Sequence, residues 1–406
     1  MHILFLTQIV PYPPNAGPRI KTWNVLRYLA GKGHRISLAT YVRSDEVQYL
    51  PMLESLCEHV YPVPLRRSRV EDVGYWLKSQ WTRQPFLIER DNRQAMHAVV
   101  KSILARGDVD LIEADQLSMA QFALAAKGNK SSPPILFDSH NATFRILERS
   151  LQNYPPLLRI PLKIEHQRLQ QYEAELVHRF DHTLTVTELD RQIFLKNSHL
   201  PADDPRISAI PIAVDTTQLT PVLSSPDSIN ILTLGTLTYP PNAEGIRWFL
   251  RDVFPLVRQA NSKASLTIIG RNPPPDFFQS AAVYGSGVEI TGYVDDLTPY
   301  LEKAALIVVP LLAGSGMRVR ILEAFSRGLP VVTTPIGLEG IQAIQGRHVL
   351  VETEPAAFAG AVNQLLADSD LRQNIAKNAR SLVETHYDWQ VVLRAMDTVY
   401  AQIFAA

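Results

Sequence analysis

The chain has 406 residues, 46% hydrophobic and 20% charged, the make-up of a soluble globular protein long enough for two separately cored domains. Its 40 Lys and Arg balance its 40 Asp and Glu, which argues against a general nucleic-acid binder, since those carry a basic excess. A single cysteine, Cys57, excludes an internal disulfide or a cysteine-built zinc cluster, and its neighbours Leu53, Leu56 and Val60 read as a packed helix face. The first apolar run is too short for a signal peptide, and no stretch of about 18 apolar residues exists to span a bilayer. The expectation is a cytoplasmic protein.

In chain order, short apolar runs alternate with longer segments of helical period. Ile3–Thr7, Ile36–Tyr41, Leu111–Glu113, Ile135–Asp138 and His182–Val186 read as buried strands, and Ile20–Ala30, Ala95–Ala105 and Leu162–Phe180 as helices. That alternation predicts an α/β fold with a doubly wound parallel sheet. After a short strand at Ile207–Ile210, the stretch Thr216–Asn230 is polar and rich in Pro and Ser, a linker by composition. The pattern then restarts. Strands are expected at Ile229–Leu234, Leu266–Ile269, Val288–Thr291, Leu306–Val309 and Val331–Thr333, with helices at Ala243–Arg258, Val319–Ser326, Ala356–Leu366 and Leu371–Val383. The tail Trp389–Phe404 places Val392, Leu393, Met396, Val399, Tyr400 and Ile403 at helical spacing, a single amphipathic helix that must cover something apolar.

Ligands of open parallel sheets bind beyond the carboxyl ends of the strands, so the loops there are where chemistry belongs. The most informative runs from Pro310 through Gly314-Ser315-Gly316-Met317-Arg318-Val319-Arg320 to Glu323. A strand ends, glycines let the backbone approach a ligand closely, and a helix begins near Met317, offering free N–H groups and a partial positive charge. Arg318 sets a permanent cation against that dipole, which suggests an anion there. Arg320, two residues on, cannot share its helix face. Glu323 lies among apolar residues, and a buried carboxylate needs donors. Vicinal hydroxyls would supply them, as would a neighbouring arginine.

The first strand runs into Tyr12-Pro13-Pro14-Asn15-Ala16-Gly17-Pro18-Arg19, a tight strand-to-helix loop. His140 stands at the end of another strand, with Asp138 available to orient it or to cap the next helix. Basic and aromatic residues interleave over Leu65–Arg93 and Leu157–His178. A solvated helix face with core-facing tryptophans is the plainer reading. An anionic or lipid-linked acceptor, or a membrane surface, is the other.

The run from Gly314 to Gly340, including Gly328-Leu329-Pro330-Val331-Val332-Thr333-Thr334 and Gly337-Leu338-Glu339-Gly340, resembles the retaining family 4 glycosyltransferases of the GT-B fold. Glu323 matches the second of that family's paired glutamates, the one similar to the ribose-holding residue. Ser315 stands where the first would be, as in a subgroup with a glycine-rich loop. Gly235, at the end of the strand that opens the second half, resembles the start of the family's donor domain, without the Arg and Lys that many members carry there.

The resemblance implies two Rossmann-like domains facing across a cleft. Residues 1–212, completed by a C-terminal helix at 387–406, would form the acceptor side, and 216–386 the donor-binding domain. It implies transfer of a sugar from a nucleotide-diphosphate sugar to an acceptor hydroxyl with retention. Gly17, Gly235, Ser315, Gly316, Met317 and Glu323 would hold the donor, and His140, Arg318 and Arg320 would act in catalysis. Neither cofactor nor metal is expected. The acceptor would be a saccharide, a lipid-linked saccharide or a small molecule, with no nucleic acid and with peripheral membrane association compatible. The alternatives are an epimerase-like enzyme of the same fold and a non-catalytic nucleotide-sugar-binding protein.

Overall fold

The computed structural model describes residues 1–128, 132–151, 154–314 and 316–405. They divide into two compact units, Met1–Ala213 with Val392–Ala406, and Val214–Val391.

The sheet of the first unit contains β1 (His2–Thr7), β2 (Arg35–Val42), β3 (His59–Pro64), β4 (Leu111–Asp115), β5 (Ile135–Asp138), β6 (His182–Thr185) and β7 (Ile207–Ala209). All its pairings are parallel, in the order β3-β2-β1-β4-β5-β6-β7. Every residue of β1, β4, β5 and β6 is buried, as a sheet covered on both faces requires. The second unit repeats the design with β8 (Asn230–Leu234), β9 (Ser265–Ile269), β10 (Val288–Gly292), β11 (Ala304–Val309), β12 (Val331–Thr333) and β13 (Leu350–Val351), in the order β10-β9-β8-β11-β12-β13. Chain order therefore reverses once in each sheet, between β1 and β4 and between β8 and β11. Such a reversal leaves a crevice at the carboxyl ends of the two strands. The fold is the two-domain, Rossmann-like GT-B architecture.

Several elements differ from the sequence reading. β3 was not expected, because Pro62 and Pro64 break its pattern; it lies at the sheet edge, where a proline removes no ladder hydrogen bond that the sheet needs. Cys57 is not on a helix face. The helix Leu50–Glu54 stops before it, and Val60 belongs to β3. Burial alone pushes the Cys57 thiol up to about 12, so it packs as an inert apolar group. The helix expected over Ala243–Arg258 is interrupted by a π turn at Phe249–Val253, just before Pro255, which has no N–H to continue an α-helical ladder. The polar stretch after Val214 is tied down along its length: Arg380 donates to the carbonyls of Thr216 and Leu219 and Arg372 to that of Pro226.

The tail is two helices, Trp389–Val392 and Arg394–Ala405. The second buries Met396, Val399, Tyr400 and Ile403 within the first unit. Asp397 accepts from Tyr28 at 3.0 Å and Lys32 at 2.7 Å, and the Tyr400 hydroxyl donates to Glu113 at 2.7 Å. Burial, then the charge of Asp138, pushes the Glu113 carboxyl up to about 8. Between the ordinary carboxylate range and about pH 8, the folded chain holds a proton that the unfolded chain has released, so stability falls as pH rises through that window. Glu113→Gln mimics the protonated acid and keeps the acceptor for Tyr400. Its melting temperature should therefore vary less than wild type between about pH 5 and about pH 8, and at the alkaline end the variant should be the more stable, by an amount on the order of a few kcal/mol. Parallel melting curves would refute the shifted carboxyl.

Candidate functional site

The reversal in the second unit is built from the exits of β8 and β11. After Val309 the chain passes through Pro310 to Gly314 and Gly316, with φ of 127° and 84°, which residues with side chains rarely adopt. The helix Val319–Ser326 follows, so Arg318 is its N-cap and not a residue of its first turn. Its guanidinium folds back, Nη1 donating to the Gly316 carbonyl at 2.5 Å, and lies against Gly314 so closely that a Cβ there would collide with it. Gly316, Met317 and Arg318 are all buried, while Ser315 lies outside the described residues.

Arg320 points elsewhere. Nη1 donates to the Leu234 carbonyl at the end of β8 at 2.8 Å, and Nη2 to Asn242 Oδ1 at 2.9 Å. Gly235 is where this guanidinium passes, and a Cβ there would strike it. Arg320 thus clasps the two loops of the reversal together. Burial, then the charge of Arg318, pulls its pKa down to about 10. The two cations are electrostatically in contact, and an anion beside them would relieve both. One turn on, Glu323 is partly buried, and among the described residues no hydrogen bond or ion pair engages its carboxylate. Burial raises its pKa, against the charges of Arg320 and Arg327. The arginine partner considered from sequence is not made, and the carboxylate oxygens stay available to hydroxyl donors.

The reversal in the first unit carries a buried polar cluster. His140 follows β5, and its Nε2 lies 2.7 Å from Oδ1 of Asp115, the last residue of β4. Asp115 Oδ2 accepts from Thr7 at 2.7 Å and Thr22 at 2.9 Å. Burial works to raise the Asp115 pKa, but His140, Thr7 and Lys21 together leave it lowered, so the carboxylate is an acceptor only. Nε2 then carries a ring proton, and in the neutral imidazole Nδ1, buried and without a hydrogen-bond partner among the described residues, presents a lone pair. Asp115, not Asp138, orients this histidine. Asp138 is ion-paired with the buried Lys21 ammonium. Ligand-type atoms of Asp115, Asp138 and His140 lie within 4.8 Å of one another, but Lys21 already supplies the cation in that group. Gly17 is the first residue of the helix Gly17–Gly31 after β1, and Arg19 in its first turn is engaged by Glu46 at 2.5 Å. Sequence reasoning missed Asp115, Lys21, Thr7 and Thr22. The sole signal was their place at the ends of β1 and β4 and in the helix between.

Two family models match the chain. Residues 21–218 match the family model Glycosyltransferase Family 4, and residues 228–368 match Glycosyl transferases group 1. An uncharacterised 44.6 kDa protein in the cps region of Klebsiella pneumoniae is 23% identical over 97% of this chain and 98% of its own. The glycogen synthase of Mycobacterium tuberculosis is 30% identical over 36% of this chain and 37% of its own. Among solved structures, Anabaena HepE in complex with UDP superposes with a TM-score of 0.70 at 16% identity, covering 99% of this chain and all of that one. The sucrose-phosphate synthase of Thermosynechococcus elongatus superposes with a TM-score of 0.70 at 17% identity, covering both chains in full.

Proposed function

We propose a donor chemistry for this chain from one premise: it belongs to the GT-B glycosyltransferases, so its reaction is glycosyl transfer. The donor is a nucleoside-diphosphate sugar, as in the solved HepE complexes with UDP and UDP-glucose. The observation that carries this is the pair Arg318 and Arg320 at the amino end of the helix Val319–Ser326, each charge unfavourable to the other, with the uncommitted Glu323 carboxylate one turn on.

The diphosphate takes the helix amino end and Arg318, and the ribose hydroxyls donate to Glu323. As the bond from the anomeric carbon to the phosphate oxygen breaks, negative charge grows on the leaving diphosphate. Arg318 and the helix N–H groups are preorganised to meet it, which needs no metal. The acceptor hydroxyl approaches from the face the diphosphate leaves, giving retention, and passes its proton to the departing phosphate oxygen. Arg320 keeps the loops in register and adds its charge. Asp115 keeps the Nδ1 lone pair of His140 ready to accept a hydrogen bond from a hydroxyl of the reacting sugar. The acceptor is a saccharide, free or lipid-linked, or a small molecule.

Incubation with a panel of nucleotide sugars, following nucleoside-diphosphate release, tests the reaction. Arg318→Ala tests the site. Losing a charge-assisted contact should weaken nucleoside-diphosphate binding about 10- to 100-fold. Binding of the nucleoside alone should hold. Equal losses for both ligands would sink the phosphate assignment.

A further inference from the structure

The first unit carries a helix whose apolar side faces outward. In Arg69–Thr82, Val70, Val73, Leu77 and Trp81 recur at helical spacing and all are exposed, Trp81 at 87%. The same helix is held by its polar side. Arg93 donates to the Tyr75 hydroxyl, Lys78 pairs with Glu89 at 2.6 Å, and Ser79 is buried, its carbonyl accepting from Arg168 at 3.3 Å. The tryptophans expected from sequence to face the core do not: Trp76 is 46% exposed as well.

Arg168 belongs to the long helix Pro156–Arg179, so the two helices meet there. Its later turns bury Leu169, Tyr172 and Leu176, but its first turns leave Leu157, Ile160 and Ile164 exposed, Leu157 at 83%. Exposed apolar stripes on two helices that touch through Arg168 and Ser79 are more than single scattered side chains, and such surface marks an interaction site.

Charge says what kind. Residues 65–83 and 154–164 together hold seven Lys and Arg against two Asp and Glu, in a chain whose totals are equal. The side chains of Arg66, Arg69, Arg83 and Lys163 are exposed and make no hydrogen bond or ion pair with any described residue. An amphipathic helix with tryptophan and leucine on one side and unpaired cations beside it has the chemistry of a monotopic element lying in the headgroup region of an anionic bilayer. No described helix is long and apolar enough to cross a membrane. We propose that the exposed face of Arg69–Thr82 and the first turns of Pro156–Arg179 dock this protein on a membrane surface bearing anionic lipids. This stands apart from the donor chemistry, and its readout does not depend on activity.

The test is flotation of the full chain with vesicles of phosphatidylcholine alone, or of phosphatidylcholine with phosphatidylglycerol. Binding is expected to the second and not to the first, and to fall as salt is raised, because surface charges are screened. Leu77→Glu with Trp81→Glu should abolish flotation at an unchanged melting temperature, since both side chains are exposed. Arg69→Glu with Lys163→Glu should lower partitioning roughly tenfold or more, each lost cation being worth about fivefold. Wild type that does not float with the anionic vesicles at low salt would overturn the proposal. So would flotation untouched by Leu77→Glu with Trp81→Glu. A wild-type dimer in light scattering that the same double variant converts to monomer would also overturn it, assigning the face to a second copy of the chain.

Discussion

Asp115→Asn is expected to lower kcat by about 100-fold or more with KM for the donor little changed, the range found when a positioned acid–base group loses its orienting partner. The reasoning is local. Asp115 is buried, its pKa is lowered against the effect of burial by His140, Thr7 and Lys21, and it accepts from four donors: His140, Thr7, Thr22 and Gln116. Asparagine has the same shape but only one oxygen. With that oxygen turned to the threonines, its amide N–H meets Nε2 of His140 and drives the ring proton to Nδ1. A lone pair becomes a donor, and the hydroxyl it was to receive is refused. With the oxygen turned to His140, the threonine hydroxyls lose their acceptor. His140→Ala should show a similar loss, and the double variant little more, because the two residues act through one atom. If His140→Ala is slow but Asp115→Asn is not, the carboxylate only supports the fold. If both turn over normally, His140 takes no part in the reaction.

This cluster also shows where the sequence stops being readable. The strands were legible because a parallel sheet covered on both faces demands continuous apolar runs, and β1, β5 and β11 have them. The glycine-rich loop was legible because everything it does happens within ten residues of Gly314. The divergence of Arg318 and Arg320 was expected too, although Arg318 is the N-cap and not part of the helix. Their partners were not legible. Arg320 is fixed by Leu234 and Asn242, 86 and 78 residues away, and Lys21 by Asp138, 117 residues away. Lys21 reads in sequence as the solvated face of an amphipathic helix, and Asp115 as a polar residue just past a short apolar run. Only the strand order, which brings β1, β4 and β5 side by side, turns them into one buried site. The outward tryptophans of Arg69–Thr82 failed for the converse reason. Aromatic residues at helical spacing face a core by default, and nothing local announces that the polar side is the one that binds.

Gly245→Ala should be strongly destabilising although it replaces a helical glycine with the best helix former. Such a change ordinarily stabilises by roughly 0.5–1 kcal/mol. Gly360, in the helix Pro355–Ala367, is a case where it should, because a Cβ there meets no atom within 4 Å. Gly245, in the helix Pro240–Trp248, is the opposite: its Cβ would fall against the backbone carbonyl of Pro310, with Leu311 Cα at 3.4 Å, and neither can rotate away. The helix or the exit of β11 must shift, at an overpacking cost of about 1–3 kcal/mol beyond the lost propensity gain, and a melting temperature lower by several degrees. The displaced groups are those that position the candidate donor site. Pro310 leads into the Gly314–Arg318 loop, and Asn242, on the same helix, is the acceptor for Arg320. Nucleoside-diphosphate affinity should therefore fall together with stability, whereas Gly360→Ala should leave affinity alone and raise the melting temperature. A Gly245→Ala protein that melts at or above wild type and binds nucleoside diphosphate normally would mean that this close crossing does not hold the phosphate loop in place, and Arg320 alone would have to.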